Sequence, residues 1–160
     1  MIPKITSILT VLIYAAFFAW AEDTPKVVFL TGDEEYRSEE SMPMLANILQ
    51  RDFGFDVSVG FSLGADGTID PNATTSLTGT EELADADLMV LYLRFRRPDE
   101  TSFQRILDYL KAGKPVVAFR TSTHAFRFTR DSPHAGWGYQ SDPTFVHSFA
   151  GGELTRELLG

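Results

Sequence analysis

The 160-residue chain contains no cysteine. It can form no disulfide, offers no thiolate to a metal and has no thiol nucleophile, which removes every reaction class that proceeds through a thioester. An excess of positive charge is also missing: 14 Lys and Arg face 22 Asp and Glu, for a net charge of −8. Proteins that hold a phosphate backbone carry a basic face, so nucleic acid is not an expected partner. Histidine is scarce, and His134 and His147 have no neighbouring ligand at metal spacing, so neither a metal nor another cofactor is expected. No internal repeat or low-complexity tract is present. With 44% hydrophobic and 22% charged residues, the composition is that of an ordinary globular domain with one sizeable core.

An apolar run long enough to span a membrane is lacking as well. Lys4 supplies a positive start, Ile5 to Phe18 form an apolar stretch broken by small hydroxyl residues, and Ala19-Trp20-Ala21 fits a small-x-small cleavage site. That stretch is shorter than the roughly 20 residues of a spanning helix. Residues 1–21 therefore read as a signal peptide cleaved before Glu22, with export to the periplasm or beyond and no membrane attachment afterwards. An uncleaved anchor is the competing reading.

Beyond this segment the chain is a run of alternating elements. Lys26 to Thr31 reads as a strand closed by Gly32 and the acidic loop Asp33-Glu34-Glu35-Tyr36-Arg37. Ser38 or Ser41 can cap a helix carrying Met42, Leu45, Ala46, Ile48, Leu49 and Phe53 at helical spacing, with Pro43 in its first turn and Gly54 as its stop. Asp56 to Phe61 alternates as a second strand, residues 62–76 form a long loop, and a short helix over Gly79 to Leu83 leads to a third strand, Leu88 to Leu93. Pro98 opens a helix with Phe103, Ile106, Leu107 and Leu110 on one face, stopped by Gly113. Pro115 to Phe119 then reads as a buried parallel strand, and a last helix is possible over Glu153 to Leu159. The pattern calls for an α/β fold, a mainly parallel sheet covered on both faces. Only four strands are counted, so the reading expects a missing C-terminal piece.

Parallel strands share one carboxyl edge, and open α/β sheets bind ligands there. The first strand delivers Asp33 to Arg37 to that edge, the third delivers Arg94-Phe95-Arg96, and the fourth delivers Arg120-Thr121-Ser122-Thr123-His124-Ala125-Phe126. Carboxylates, guanidiniums, hydroxyls, aromatic rings and an imidazole thus converge on one crevice, whereas Arg96-Arg97 reads as surface charge. Arginine forks suit dense oxygen ligands and aromatic faces suit sugar rings.

The segments Val28 to Ser41, Leu93 to Arg96 and Gly113 to Phe126 resemble, in this order, the ThuA-like (trehalose-utilisation) domain family. The likeness runs over about residues 26–150 and implies a ThuA-like domain over 26–160, incomplete at its C-terminus. It implies a flavodoxin-like three-layer sandwich of the class I glutamine amidotransferase-like type, and a carbohydrate partner such as an oxidised (keto) disaccharide. The chain departs from the amidotransferases where their cysteine follows the fourth strand: here stand Arg120 and Thr121, so glutamine hydrolysis is excluded. Among site residues, His124 is the acid–base candidate. Asp33 or Glu34 orients it, acts as base, or merely caps the following helix. Arg94 and Arg120 bind substrate oxygens or pair with Asp33 and Glu34, while Thr121, Tyr36 and Phe126 line the substrate. The expected function is an enzyme acting on a sugar by hydrolysis, elimination or isomerisation, or a non-catalytic carbohydrate-binding or interaction domain.

Overall fold

In the computed structural model, which describes residues 24–138, four strands form one sheet. They are β1 (Lys26–Gly32), β2 (Asp56–Gly60), β3 (Leu88–Leu93) and β4 (Val116–Ala118). Every neighbouring pair is parallel and the order is β2-β1-β3-β4. Flavodoxin-like sheets begin with this order, and the fold is a flavodoxin-like α/β sandwich.

The apolar strand runs are nearly continuous because both faces of the central strands are covered. On one face Val28 and Leu30 of β1 meet Met89, Leu91 and Leu93 of β3. Helix α2 (Glu100–Lys111) closes this face with Phe103, Ile106, Leu107 and Leu110. On the other face Val27, Phe29 and Val90 lie under Met42 and Ala46 of helix α1 (Ser38–Phe53). The expected short helix is a 3-10 turn over Thr80–Ala84 that packs beside α2.

Local chemistry sets the helix ends. Gly54 takes a left-handed φ of 71° and its N–H donates to the Gln50 carbonyl, a conformation that costs glycine no steric penalty. At the start of α2 the Asp99 carboxylate accepts from the Ser102 N–H at 3.1 Å and from the Ser102 hydroxyl at 2.7 Å. Helix α1 starts differently from expectation. It begins at Ser38 after a left-handed Arg37, with no side-chain cap, so Pro43 lies inside the helix and not in its first turn.

The fourth strand needs a larger correction. It is parallel, but among the described residues it is a short edge strand with Val117 44% exposed, not a buried strand over 115–119. Helix α2 packs against the face that carries Val116, whereas α1 lies over β1 and β2 and leaves the other face of β4 open among the described residues. No helix among those residues is long and apolar enough to cross a membrane. The signal peptide expected at residues 1–21 and the helix expected at 153–159 lie outside the described residues.

Candidate functional site

The loops that leave β1, β3 and β4 meet at one edge of the sheet. The crossing falls between β1 and β3, where the connections diverge to opposite sides and where open α/β sheets form their ligand crevice. Backbone strain gathers at the same edge. Three non-glycine residues have a positive φ among the described residues: Arg37 at 53°, Phe95 at 53° and Arg120 at 31°. Each lies in a loop leaving one of these strands, and such conformations cost about 1–2 kcal/mol unless the surroundings enforce them.

Asp33 is fully buried at the end of β1. One carboxylate oxygen accepts the backbone N–H groups of Glu35 at 2.7 Å and Tyr36 at 2.8 Å. The other accepts the hydroxyl of Thr121, itself buried in the 3-10 turn Arg120–His124 that follows β4. Asp33 and Thr121 are therefore bound to each other and tie the first loop to the last. Next to Thr121, the Ser122 hydroxyl donates to Leu91 O at 3.0 Å and accepts the Leu93 N–H at 3.2 Å, anchoring the turn to β3.

Glu34 is held by two guanidiniums, one from Arg94 and one from Arg96 at 2.8 Å. Arg94 also reaches Glu35 at 3.1 Å, while its Nε is buried and meets no acceptor among the described residues. Arg96, expected at the surface, is fully buried. Its Nη1 donates to Pro71 O at 2.8 Å and to Ser62 Oγ at 3.2 Å, and its Nε donates to Arg94 O at 2.6 Å. Burial pulls its pKa down, and the charges of Glu34 and Asp33 oppose that pull. The reversal follows from the backbone. Phe95 turns left-handed, its N–H donates to His124 O at 3.0 Å, and the Arg96 N–H donates to Ala125 O at 2.6 Å. Arg96 then crosses Gly32, where an added Cβ would lie 2.9 Å from Arg96 Cδ and 2.8 Å from Ser62 Oγ.

Other side chains at this edge face solvent in part. The half-buried His124 ring lies 5.1 Å from the Phe95 ring, and its Nδ1 is 3.0 Å from the Thr123 hydroxyl. Arg120 is exposed and forms no ion pair among the described residues, contrary to the expected pairing with Asp33 or Glu34. Both carboxylates are engaged elsewhere, and the Arg120 guanidinium instead stacks 3.8 Å from the centre of the Tyr36 ring. The Tyr36 hydroxyl donates to Glu35 at 3.0 Å. Phe126 does not face the crevice. It is 3% exposed and packs edge-on against Phe103 at 5.0 Å, in the core.

The structure thus brings Glu34, Arg94 and Arg96 into one ion cluster, and joins Asp33 to Thr121, Arg120 to Tyr36, and His124 to Phe95. Sequence reasoning brings Phe95 and Arg96 to this edge but gives neither a role, and it reads Arg96 as surface charge where the structure buries it. Their one available signal was the spacing of Arg94 and Arg96, two residues apart just past a buried strand, of which one guanidinium turns inward. No group of three or more His, Asp or Glu among the described residues is placed to hold a metal ion, and His147 lies outside them. Compared with known proteins, the chain matches no family model, no curated protein and no solved structure.

Proposed function

We propose that the chain is an exported ThuA-like domain protein, of the class I glutamine amidotransferase-like type, whose sheet-edge site takes a carbohydrate such as an oxidised (keto) disaccharide. The observation that carries this reading is the meeting of the β1, β3 and β4 loops between β1 and β3, with Arg94, Arg120, Tyr36 and His124 partly open to solvent there. Guanidinium donors suit sugar hydroxyl and keto oxygens, and a ring such as Tyr36 suits the apolar face of a pyranose. His124 is the acid–base group, because imidazole exchanges protons near neutral pH. Asp33, Thr121 and Arg96 position these groups and do not touch the sugar. The reaction class is a sugar-directed hydrolysis, elimination or isomerisation. The motif resemblance and the Ala19-Trp20-Ala21 site support export.

Asp33 favours a second reading, a non-catalytic carbohydrate-binding or interaction domain. A fully buried carboxylate bonded to Thr121 and two backbone N–H groups is a structural tie and not a base facing a substrate. The two readings separate in one experiment. The full chain is incubated with keto-disaccharides, products are followed by NMR, and binding is measured in parallel for the parent and His124→Gln. Turnover lost in His124→Gln with binding retained supports the enzyme. Binding without turnover in both proteins supports the binding domain. Neither binding nor turnover overturns the carbohydrate reading.

A further inference from the structure

Across Phe95 from His124 lies a cleft of about 610 Å³, within the roughly 300–1,000 Å³ of small-molecule sites. Arg97, Arg127 and Arg130 line it. Arg97 comes from the loop after β3, and the other two come from the segment after the Arg120–His124 turn. Backbone hydrogen bonds hold these pieces together. The Arg97 N–H donates to Thr74 O at 2.7 Å and the Arg127 N–H donates to Arg96 O at 2.9 Å. None of the three arginines forms an ion pair among the described residues. The acidic side chain on the cleft, Glu34, is already held by Arg94 and Arg96.

Three cations with no ion-pair partner among the described residues stand around one cavity and repel one another, in a chain whose carboxylates outnumber its cations. These three cations share a concave surface with two aromatic walls, Phe95 and Phe128. The Arg127 guanidinium lies 5.6 Å from the Phe95 ring centre, and the hydroxyl residues Thr74 and Thr129 complete the lining. Guanidinium forks match the paired oxygens of carboxylate, sulfate and phosphate groups. Phe128, and the part of Phe95 that reaches the cleft beside Arg94 and Arg127, offer apolar surface next to those forks. Resting on the carbohydrate reading above, we infer that this cleft binds an acidic sugar, with its anionic oxygen group held by Arg97, Arg127 and Arg130 and its ring against Phe95 and Phe128.

The test is calorimetric titration of the full chain with glucose, glucuronate, the sulfate and phosphate esters of glucose, and inorganic sulfate and phosphate. At least one charged sugar should bind about tenfold or more tightly than glucose, and added salt should weaken it. Arg127→Gln and Arg130→Gln should each weaken that sugar about tenfold without changing the melting temperature, since both side chains are exposed. Equal affinity for charged and neutral sugars, or arginine variants that bind like the parent, would overturn the anion site and leave the carbohydrate reading standing. Inorganic sulfate or phosphate binding as tightly as the sugar esters, and lost in the arginine variants, would overturn the sugar half alone. No binding of any probe would overturn the acidic-sugar cleft, while the carbohydrate reading stands or falls with the keto-disaccharides.

Discussion

Arg96 shows how one buried residue can tie three loops together. Its guanidinium holds Glu34 from the loop after β1, Ser62 and Pro71 from the loop after β2, and Arg94 O from its own segment. Removing the charge of Glu34, which is 24% exposed, leaves the buried guanidinium without its counter-charge. We expect Glu34→Gln to lower stability by about 3 kcal/mol, read as a shift of the urea midpoint at constant slope. The exposed pair Arg37–Glu40 is the control, and Arg37→Gln should cost less than about 1 kcal/mol. Similar losses in both would show that burial does not set the cost. Gly32→Ala should also destabilise, because its methyl group collides with Arg96 Cδ and Ser62 Oγ. In a double-mutant cycle with Arg96→Ala, the two losses should add to less than their sum. Arg120 obeys a different balance: its φ of 31° disfavours any residue but glycine, and its stacking on Tyr36 offsets part of that cost. Arg120→Gly should therefore melt no lower than the parent while losing sugar affinity, and a lower melting temperature would show that the residue is not strained.

At the scale of elements, α2 depends on its first turn. Asp99 caps it through Ser102, and the hydroxyl and backbone N–H of Ser102 hold the Asp99 carboxyl below its ordinary value of 3.8. A carboxyl depressed by folding adds stability that is present above its unfolded pKa and is lost as pH falls through the folded value. Asp99→Ala should cost about 1 kcal/mol at neutral pH, and the gap to the parent should close as the pH drops well below 3.8. A gap that stays constant with pH would show that the ionised cap is not its source. The strand and helix spans were legible because β1, α1 and α2 each carry a clear apolar pattern, closed by Gly32, Gly54 and Gly113 in turn. That logic also places Asp33, Arg94 and His124 at one edge, since each follows an apolar strand. The exposure of β4 was not legible. An apolar run such as Pro115 to Phe119 has the same periodicity whether or not a helix lies over it. The partners of Asp33 and Arg96 were equally hidden, because they depend on the left-handed turns at Phe95 and Arg120 and on contacts from residues far away in the chain.

Over the whole molecule, the negative surplus opposes the cleft that the arginines build. With a net charge of −8 at pH 7, the long-range field repels an anionic ligand that Arg97, Arg127 and Arg130 attract at close range. Acidification separates the two effects. Between pH 7 and about pH 5.5 a negative surplus of this kind shrinks, because an ordinary imidazole takes up a proton there, while guanidinium and sulfate-ester groups keep their charge. The general repulsion falls while the cations on the cleft are unchanged. Affinity for glucose sulfate should rise over this range and affinity for neutral glucose should stay flat, as calorimetry at fixed ionic strength would measure. The range lies above the ordinary carboxyl value of the Asp99 cap, so α2 stays intact throughout. Raising salt at pH 7 screens the distant repulsion and the close attraction together, and the close attraction is the stronger, so affinity should fall. A sulfate ester whose affinity fell on acidification would show that a titrating group, and not the arginines, holds the anion.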